Sequence, residues 1–207
     1  MGLIDGLIRN GYLKTSKIIE AFQRIKRKNF LPDEMKNLAE LNEALPIDYG
    51  QTISQPLVVA FMLEKLQPEE GNKILDIGSG SGWTSALLAE VVGKEGKIIS
   101  LEIIPELKEF GEKNVDKYNF IKEGRVQFFL ADGLEGCREK APFDRILCSA
   151  AVQGKMPKAW EEQLKVGGRI ATPIGSSIWV FVKKSKEDLK KTEYPGFSFV
   201  PLVENAL

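Results

Sequence analysis

Lys73–Gly82 reads KILDIGSGSG, and this stretch decides the fold. Ile74, Leu75 and Ile77 make a short apolar run, the pattern of a strand buried on both faces of a parallel sheet. Gly78, Gly80 and Gly82 follow at once, alternating with Ser79 and Ser81. The next ten residues, WTSALLAEVV, are rich in alanine and leucine and predict a helix. Strand, glycine turn and helix together open a nucleotide-binding α/β unit, where glycine lets the backbone approach a ligand closely.

Glycine spacing narrows the ligand. A dinucleotide pyrophosphate calls for G-x-G-x-x-G at a helix N-terminus, whereas this turn is G-x-G-x-G, which disfavours a nicotinamide-dependent oxidoreductase. Asp76 stands on the strand just before the turn, where it could meet a cationic amino group. Glu102 closes the next apolar run, KIISLE, twenty positions after Gly82, where a carboxylate can bind a ribose diol. Carboxylates at both places suit S-adenosyl-L-methionine, whose methionyl part is zwitterionic and whose sulfur is cationic. Gly78, Ser79, Gly80 and Gly82, with Glu102 and the adjoining Ile103, are the expected cofactor-binding residues on this strand pair.

Composition excludes several other classes. The 207 residues suffice for one sizeable α/β domain with a small addition. Twenty-nine basic residues balance 29 acidic ones, so no net field favours nucleic acid or an anionic membrane. Histidine is absent, which removes His-dependent triads. With only Cys137 and Cys148, neither a zinc site nor a disulfide framework is expected, and the default compartment is a reducing cytoplasm. No apolar run approaches eighteen residues and no secretory signal is recognisable, so no membrane association is expected.

Around the glycine turn the rest of the chain falls into place as a single domain, 1–207. Residues 1–66 are expected to form a helical cap and a loop-helix unit, and residues 67–207 the α/β core. Ser16 is a candidate N-cap for a helix carrying Ile18, Ile19, Phe22 and Ile25, and a second helical turn is expected through Met35–Leu41. In ALPIDYGQTISQPLVVAFM (Ala44–Met62), small and polar groups crowd before a helix that Pro56 can start. Ser54 there either caps that helix or presents its hydroxyl to an anion. Later strands are expected at Val126–Leu130, Phe143–Ser149, Arg169–Ile174, Ile178–Val182 and Phe197–Val203. Pro157–Leu164 reads as helix, Gly167–Gly168 as its stop, and the charged Lys183–Lys191 as a solvated connector. The alternation of apolar runs with helical patterns predicts a doubly wound, mostly parallel, Rossmann-like sheet with a late antiparallel strand.

DYGQTISQP, KILDIGSGSGWTSALLA, SLEIIPEL, ADG, APFDRIL, EQLKVGGRIATPIG and FVPL succeed one another along the chain. In that order and spacing they resemble the protein-L-isoaspartate O-methyltransferase family, over nearly the whole chain from about Ile18 to Leu202. GQTIS and FVPL are fairly specific to that family, whereas G-x-G-x-G is shared by many methyltransferases. The resemblance implies that Asp132 of the ADG contacts the adenine amino group, with Gly133 beside it. It implies that Ser54, with Thr52, hydrogen-bonds an acceptor carboxylate, and that Gln51 and Val200, Pro201 and Leu202 shape a groove for peptide. The implied reaction uses S-adenosyl-L-methionine, releases S-adenosyl-L-homocysteine, and methylates the α-carboxylate of L-isoaspartyl residues in damaged proteins or peptides; a monomer is expected. Departures from the family pattern lie on the acceptor side. Leu57 stands where many members carry His or Tyr, Ser198 where many carry Arg, a Gln after the Pro-x-Gly segment is missing, and the loop Gly175–Ser177 is short. Two alternatives stay open: a carboxyl O-methyltransferase with another acceptor, and a silent homologue that keeps only the cofactor pocket.

Chemistry makes the missing histidine unimportant. An isoaspartyl α-carboxylate is already ionised at neutral pH, so it needs orientation rather than a general base.

Overall fold

The computed structural model describes residues 2–203; of the expected 1–207 span, Met1 and residues 204–207 lie outside it. Six helices are seen: α1 (Leu3–Arg9), α2 (Ser16–Arg24), α3 (Pro56–Leu66), α4 (Trp83–Val92), α5 (Pro105–Asp116) and α6 (Lys158–Gln163). A small hairpin pairs β1 (Leu45–Pro46) with β2 (Thr52–Ile53). The main sheet holds β3 (Lys73–Ile77), β4 (Lys97–Glu102), β5 (Val126–Leu130), β6 (Phe143–Cys148), β7 (Leu164–Ile174), β8 (Ser177–Lys183) and β9 (Leu189–Pro195). Their spatial order is β5-β4-β3-β6-β7-β8-β9, parallel from β5 to β7 and antiparallel for β8 and β9.

The strand read first is thus the one at which the winding reverses. β3 pairs with β4 on one side and β6 on the other, so a crevice opens beyond its C-terminal end, where ligands collect in such sheets. Successive β3 side chains go to opposite faces: Ile74 joins the apolar cluster under α3, α4 and the cap, while Leu75 and Ile77 join the one containing Trp160 of α6. Burial on both faces is why the run carries no polar alternation.

Five local expectations are corrected. Ser16 is the first residue of α2, whose N-cap position is Thr15. The first turn is served from outside, by the Glu64 carboxylate on α3, which accepts from the backbone N–H of Lys14 (2.7 Å) and Thr15 (2.8 Å) and from the Thr15 hydroxyl (2.8 Å). The second cap element is a 3-10 helix over Asp33–Leu38 rather than a turn through Leu41. Gly167 and Gly168 do not stop a helix; they lie within β7, in an outward bulge where Phe143↔Leu164 pairing gives way to Arg145↔Arg169. The late antiparallel strand is a pair, because the end of the supposed connector, from Leu189 on, belongs to β9. Lys190, Lys191 and Glu193 are exposed there, and charges on an edge strand discourage further pairing. Phe197–Val203 forms no continuous strand; it meets the sheet end through the Ala151↔Pro201 bridge, and Leu202 packs into the apolar cluster that contains Ile77.

Candidate active site

The crevice beyond β3 is walled by five segments of distant sequence. The floor is the turn itself, Gly78, Ser79 and Gly80, which follows β3 directly. Glu102 and Ile103, at the end of β4, form one side. Gln51, Thr52 and Ser54 from the β2 hairpin form the other, while Gly133 and the segment Val200, Pro201 and Leu202 close the far end. Twelve residues expected from sequence are therefore brought together in one cleft.

Glu102 is 6% exposed and acts as the clamp of this cleft. Its Oε2 accepts from Gly80 N–H at 2.8 Å, and Oε1 accepts from Ile103 N–H at 2.9 Å and Ile104 N–H at 3.1 Å. A carboxylate offers about four lone-pair directions, so one remains for a ligand hydroxyl. Buried donors without protein partners border the same space: the Ser79 hydroxyl and the Trp83 indole N–H. Such atoms cost about 1–3 kcal/mol each when unmet, and a ligand bearing acceptors relieves that cost.

Three of the expected cofactor residues are not among the lining groups: Asp76 and Gly82 lie beneath the turn, and Asp132 stands half-buried between the lining residues Ala131 and Gly133. Asp76 is fully buried on the α4 side of β3. Its Oδ2 accepts from the Ser85 hydroxyl at 2.6 Å and the Thr84 hydroxyl at 2.8 Å, and Ser100 donates onward to Ser85 at 3.0 Å. Oδ2 is thus held in a hydroxyl network beneath the turn, while Oδ1 has no protein partner. Gly82, at φ +82°, serves packing: a Cβ there would lie 2.7 Å from the Gly111 carbonyl oxygen and 2.8 Å from Val115 Cγ2. Gly111 of α5 answers it, since a Cβ there would lie 2.6 Å from the Gly80 carbonyl oxygen. Two facing glycines let α5 lie directly against the turn, an approach unavailable to any other residue pair. Asp132 caps a short 3-10 turn through Oδ1, which accepts from Leu134 N–H at 2.9 Å.

Burial pushes the Asp76 carboxyl up to about 6, against the opposing Ser85 and Thr84 hydrogen bonds and with the negative charge of Glu102 adding to the rise. A carboxyl that holds its proton more tightly folded than unfolded stabilises the fold at low pH, and this contribution is lost as pH rises through the folded value. The stability of the wild type relative to Asp76→Asn is expected to fall by on the order of 2 kcal/mol between about pH 4 and pH 6.5, then level off. Urea unfolding of both proteins across that range measures it, and a pH-independent difference refutes the assignment.

On the acceptor side, residues 48–50 turn the hairpin with three consecutive left-handed residues, Asp48 (φ 74°), Tyr49 (φ 53°) and Gly50 (φ 68°). Two of these are not glycine, and each costs about 1–2 kcal/mol. The turn is closed by Gln51 N–H to the Asp48 carbonyl at 2.9 Å and Ile47 N–H to the Gln51 carbonyl at 3.0 Å. The capping role for Ser54 is not realised. Gln55 occupies the N-cap position of α3 without a side-chain bond, and the first turn is capped remotely by Asn42, whose Oδ1 accepts from Leu57 N–H at 2.9 Å. Asn42 also accepts through its carbonyl from the Gln55 amide at 2.8 Å. Thr52 and Ser54 line both the cofactor-side cleft and an adjoining cavity of about 280 Å³ that Gln55, Ser149, Ser198 and Val200 help enclose. The Val200–Leu202 segment is held over the end of β6 by Ala151 N–H to the Val200 carbonyl and Leu202 N–H to the Ala151 carbonyl, both 2.8 Å.

Sequence reading missed Asn42 and the Thr84–Ser85–Ser100 hydroxyls as parts of this site. Ser149 was recognised only as the end of a strand, although its place at a C-terminal strand end is itself the signal.

Known proteins resemble this chain over most of its length. A relative from Staphylothermus marinus named protein-L-isoaspartate O-methyltransferase is 42% identical over 211 residues, covering 97% of this chain and 92% of that one. A relative of the same name from Methanopyrus kandleri is 36% identical over 205 residues, covering 97% and 89%. Among solved structures, a Plasmodium falciparum protein described as a protein-L-isoaspartate O-methyltransferase, in complex with S-adenosyl-L-homocysteine, superposes with a TM-score of 0.88 over 98% of this chain and 97% of that one, at 22% identity. Another protein-L-isoaspartate O-methyltransferase structure, 28% identical, also gives 0.88, covering 98% of this chain and 65% of that one. The family model for protein-L-isoaspartate(D-aspartate) O-methyltransferases matches residues 1–207, and the glycine turn, the Glu102 clamp and the GQTIS hairpin all fall within that match. By length of match and by identity alike, this chain belongs to the protein-L-isoaspartate(D-aspartate) O-methyltransferase family.

Proposed function

We propose that the chain methylates the α-carboxylate of L-isoaspartyl residues in damaged proteins and peptides, with S-adenosyl-L-methionine as donor. The observation that carries this reading is the pair of cavities sharing Thr52 and Ser54, with the glycine turn and Glu102 on one side and a groove of mixed lining on the other. Glu102 would hold a ribose hydroxyl, and the Ser79 and Trp83 donors would meet acceptors on the cofactor. Oδ1 of Asp132 is engaged with Leu134, so a contact with an adenine amino group falls to its Oδ2. When bound, S-adenosyl-L-methionine supplies an electrophilic methyl group on a sulfonium. Ser54 and Thr52 orient the acceptor carboxylate, which attacks as the anion and gives up no proton. The Val200–Leu202 segment and the hairpin keep water from the carboxylate, which sharpens its charge interactions. The ester product then closes to a succinimide without further help, because methoxide leaves more readily than a carboxylate oxygen.

The reading extends to a cytoplasmic enzyme acting as one domain and as a monomer. Both walls of the cleft come from one chain, Cys137 and Cys148 are free, and among the described residues no helix is long and apolar enough to cross a membrane. Matched peptides carrying isoaspartate or ordinary aspartate at one position test the acceptor. Methyl incorporation into the isoaspartyl peptide alone is the expected result. Equal labelling of both, or of neither while a small carboxylic acid is methylated, overturns the repair assignment in favour of a broader carboxyl methyltransferase.

A further inference from the structure

Arg27 carries a buried guanidinium whose hydrogen-bond partners are all backbone carbonyls. It is 6% exposed and follows α2, outside every motif that identified the site. One terminal nitrogen, Nη1, donates to the Leu41 carbonyl at 3.0 Å and to the Ala39 carbonyl at 3.3 Å. The other, Nη2, donates to the Glu43 carbonyl at 2.7 Å and to the Ser54 carbonyl at 3.2 Å. Its Nε has no partner, and the guanidinium carbon lies 5.5 Å from the centre of the Trp83 ring. No carboxylate lies within ion-pair distance among the described residues; Glu40 acts on it only through its charge at longer range.

A buried cation without a bonded carboxylate is a poor choice for stability alone, because several kcal/mol of desolvation are recovered only through neutral acceptors. What the fork geometry of arginine supplies is a fixed relation among several carbonyls at once. Here those carbonyls belong to the 39–43 segment and to Ser54. The same 39–43 segment holds the start of α3 through Asn42, which bonds Leu57 N–H and the Gln55 amide. Ser54 is thereby fixed from both sides, by Arg27 at its own carbonyl and by Asn42 just beyond it. Trp83, on which the guanidinium rests, is the first residue of α4 and follows the glycine turn directly. Arg27 thus touches the hairpin that presents the acceptor hydroxyls and the residue that ends the turn beneath the donor.

From this geometry we propose that Arg27 is a positioning residue for methyl transfer, setting the register of the Ser54 backbone against the cofactor turn. The proposal rests on the methyltransferase reading of the site. In-line displacement demands that carboxylate and methyl carbon be held within a narrow range, so a shift of about 1 Å at Ser54 is felt mainly in turnover.

Arg27→Lys keeps the charge and loses the fork; Arg27→Met keeps the stem and loses both. Turnover on the isoaspartyl peptide is expected to fall about 10-fold or more for Lys and further for Met, with S-adenosylhomocysteine affinity changed less than about threefold. Because Arg27 acts through Ser54, Arg27→Lys should matter much less in a Ser54→Ala background. A purely structural arginine would give equal fold-losses in both backgrounds, and that result overturns the proposal. Amide hydrogen exchange supplies a readout independent of any acceptor: Arg27→Lys should speed exchange at 52–57 and 39–43 while leaving β3 protected. Unchanged exchange at 52–57 overturns the proposal even where Arg27→Met fails to fold. Should the wild type label no isoaspartyl peptide, the functional reading falls, and the exchange measurement still decides whether Arg27 holds Ser54.

Discussion

Replacing Glu102 with Ala is expected to weaken binding of S-adenosylhomocysteine by about 1.5–3 kcal/mol for the lost charge-assisted bond to the ribose, roughly 10- to 150-fold. A further loss follows from the protein itself. Glu102 collects the amides of Gly80, Ile103 and Ile104, so its removal frees the turn that forms the floor and the entrance to α5 in the same stroke. Each released N–H that stays shielded from water adds about 1–3 kcal/mol of destabilisation. Both a weaker affinity and a lower melting temperature of the ligand-free protein are therefore expected. Glu102→Gln separates the two contributions, since it retains one acceptor oxygen but places an NH₂ against either Gly80 N–H or the Ile103–Ile104 pair. Titration calorimetry of the three proteins reads the affinities. Wild-type affinity in the Ala variant would show that the ribose does not lie against this carboxylate.

The second large effect is expected at Ser54, and it should fall on rate rather than on cofactor affinity. Loss of one hydrogen bond to a charged group corresponds to about 1.5–3 kcal/mol, so Ser54→Ala should turn over the isoaspartyl peptide roughly 10- to 150-fold more slowly. The structure explains why stability should be spared. Capping of α3 comes from Asn42, and the Arg27 contact uses the Ser54 backbone carbonyl, which alanine retains. S-adenosylhomocysteine affinity should stay within about twofold of wild type, because the cofactor clamp at Glu102 and Gly80 is untouched. Steady-state kinetics with peptide as the varied substrate separate a turnover effect from a binding effect. Undiminished turnover in a folded Ser54→Ala protein would move the carboxylate contact to Thr52 or Ser149, which face the same cavity.

The acceptor side is also where this chain departs from its family's pattern, and the structure shows what those departures touch. Ser198 helps line the cavity beside Thr52 and Ser54, the wall next to the proposed acceptor site. Leu57 is half-buried against the apolar core, and its backbone N–H is the one capped by Asn42. Neither residue approaches the glycine turn or Glu102 among the lining groups of the cofactor cleft. Both departures therefore lie outside the lining of the cofactor cleft.

Sequence alone determined those features whose cause is local. A strand buried on both faces must be apolar throughout, a tight turn under a ligand must be glycine, and a helix that follows must be built of helix formers. Because these constraints act over a few consecutive residues, KILDIGSGSG sufficed to place β3, the turn and α4, and Glu102 could be located by its distance along the chain. Gln51, Thr52 and Ser54 could be recognised as polar groups before a helix, and Pro56 as the start of that helix. Tertiary structure decided everything whose partner lies far along the chain. Asp76 appeared in sequence as a ligand-facing carboxylate, but the alternation of β3 turns it toward Thr84 and Ser85, behind the cleft wall. Lys190 and Lys191 appeared as a solvated connector, yet pairing with β8 makes them an edge strand, since backbone hydrogen bonds do not depend on side-chain charge. Glu64 caps α2 from about fifty residues away, Asn42 caps α3 from fifteen, and Arg27 reaches Ser54 across twenty-seven. No window of sequence contains both members of such a pair; only the packing of the cap onto α3 and α4 brings donor and acceptor within hydrogen-bonding distance.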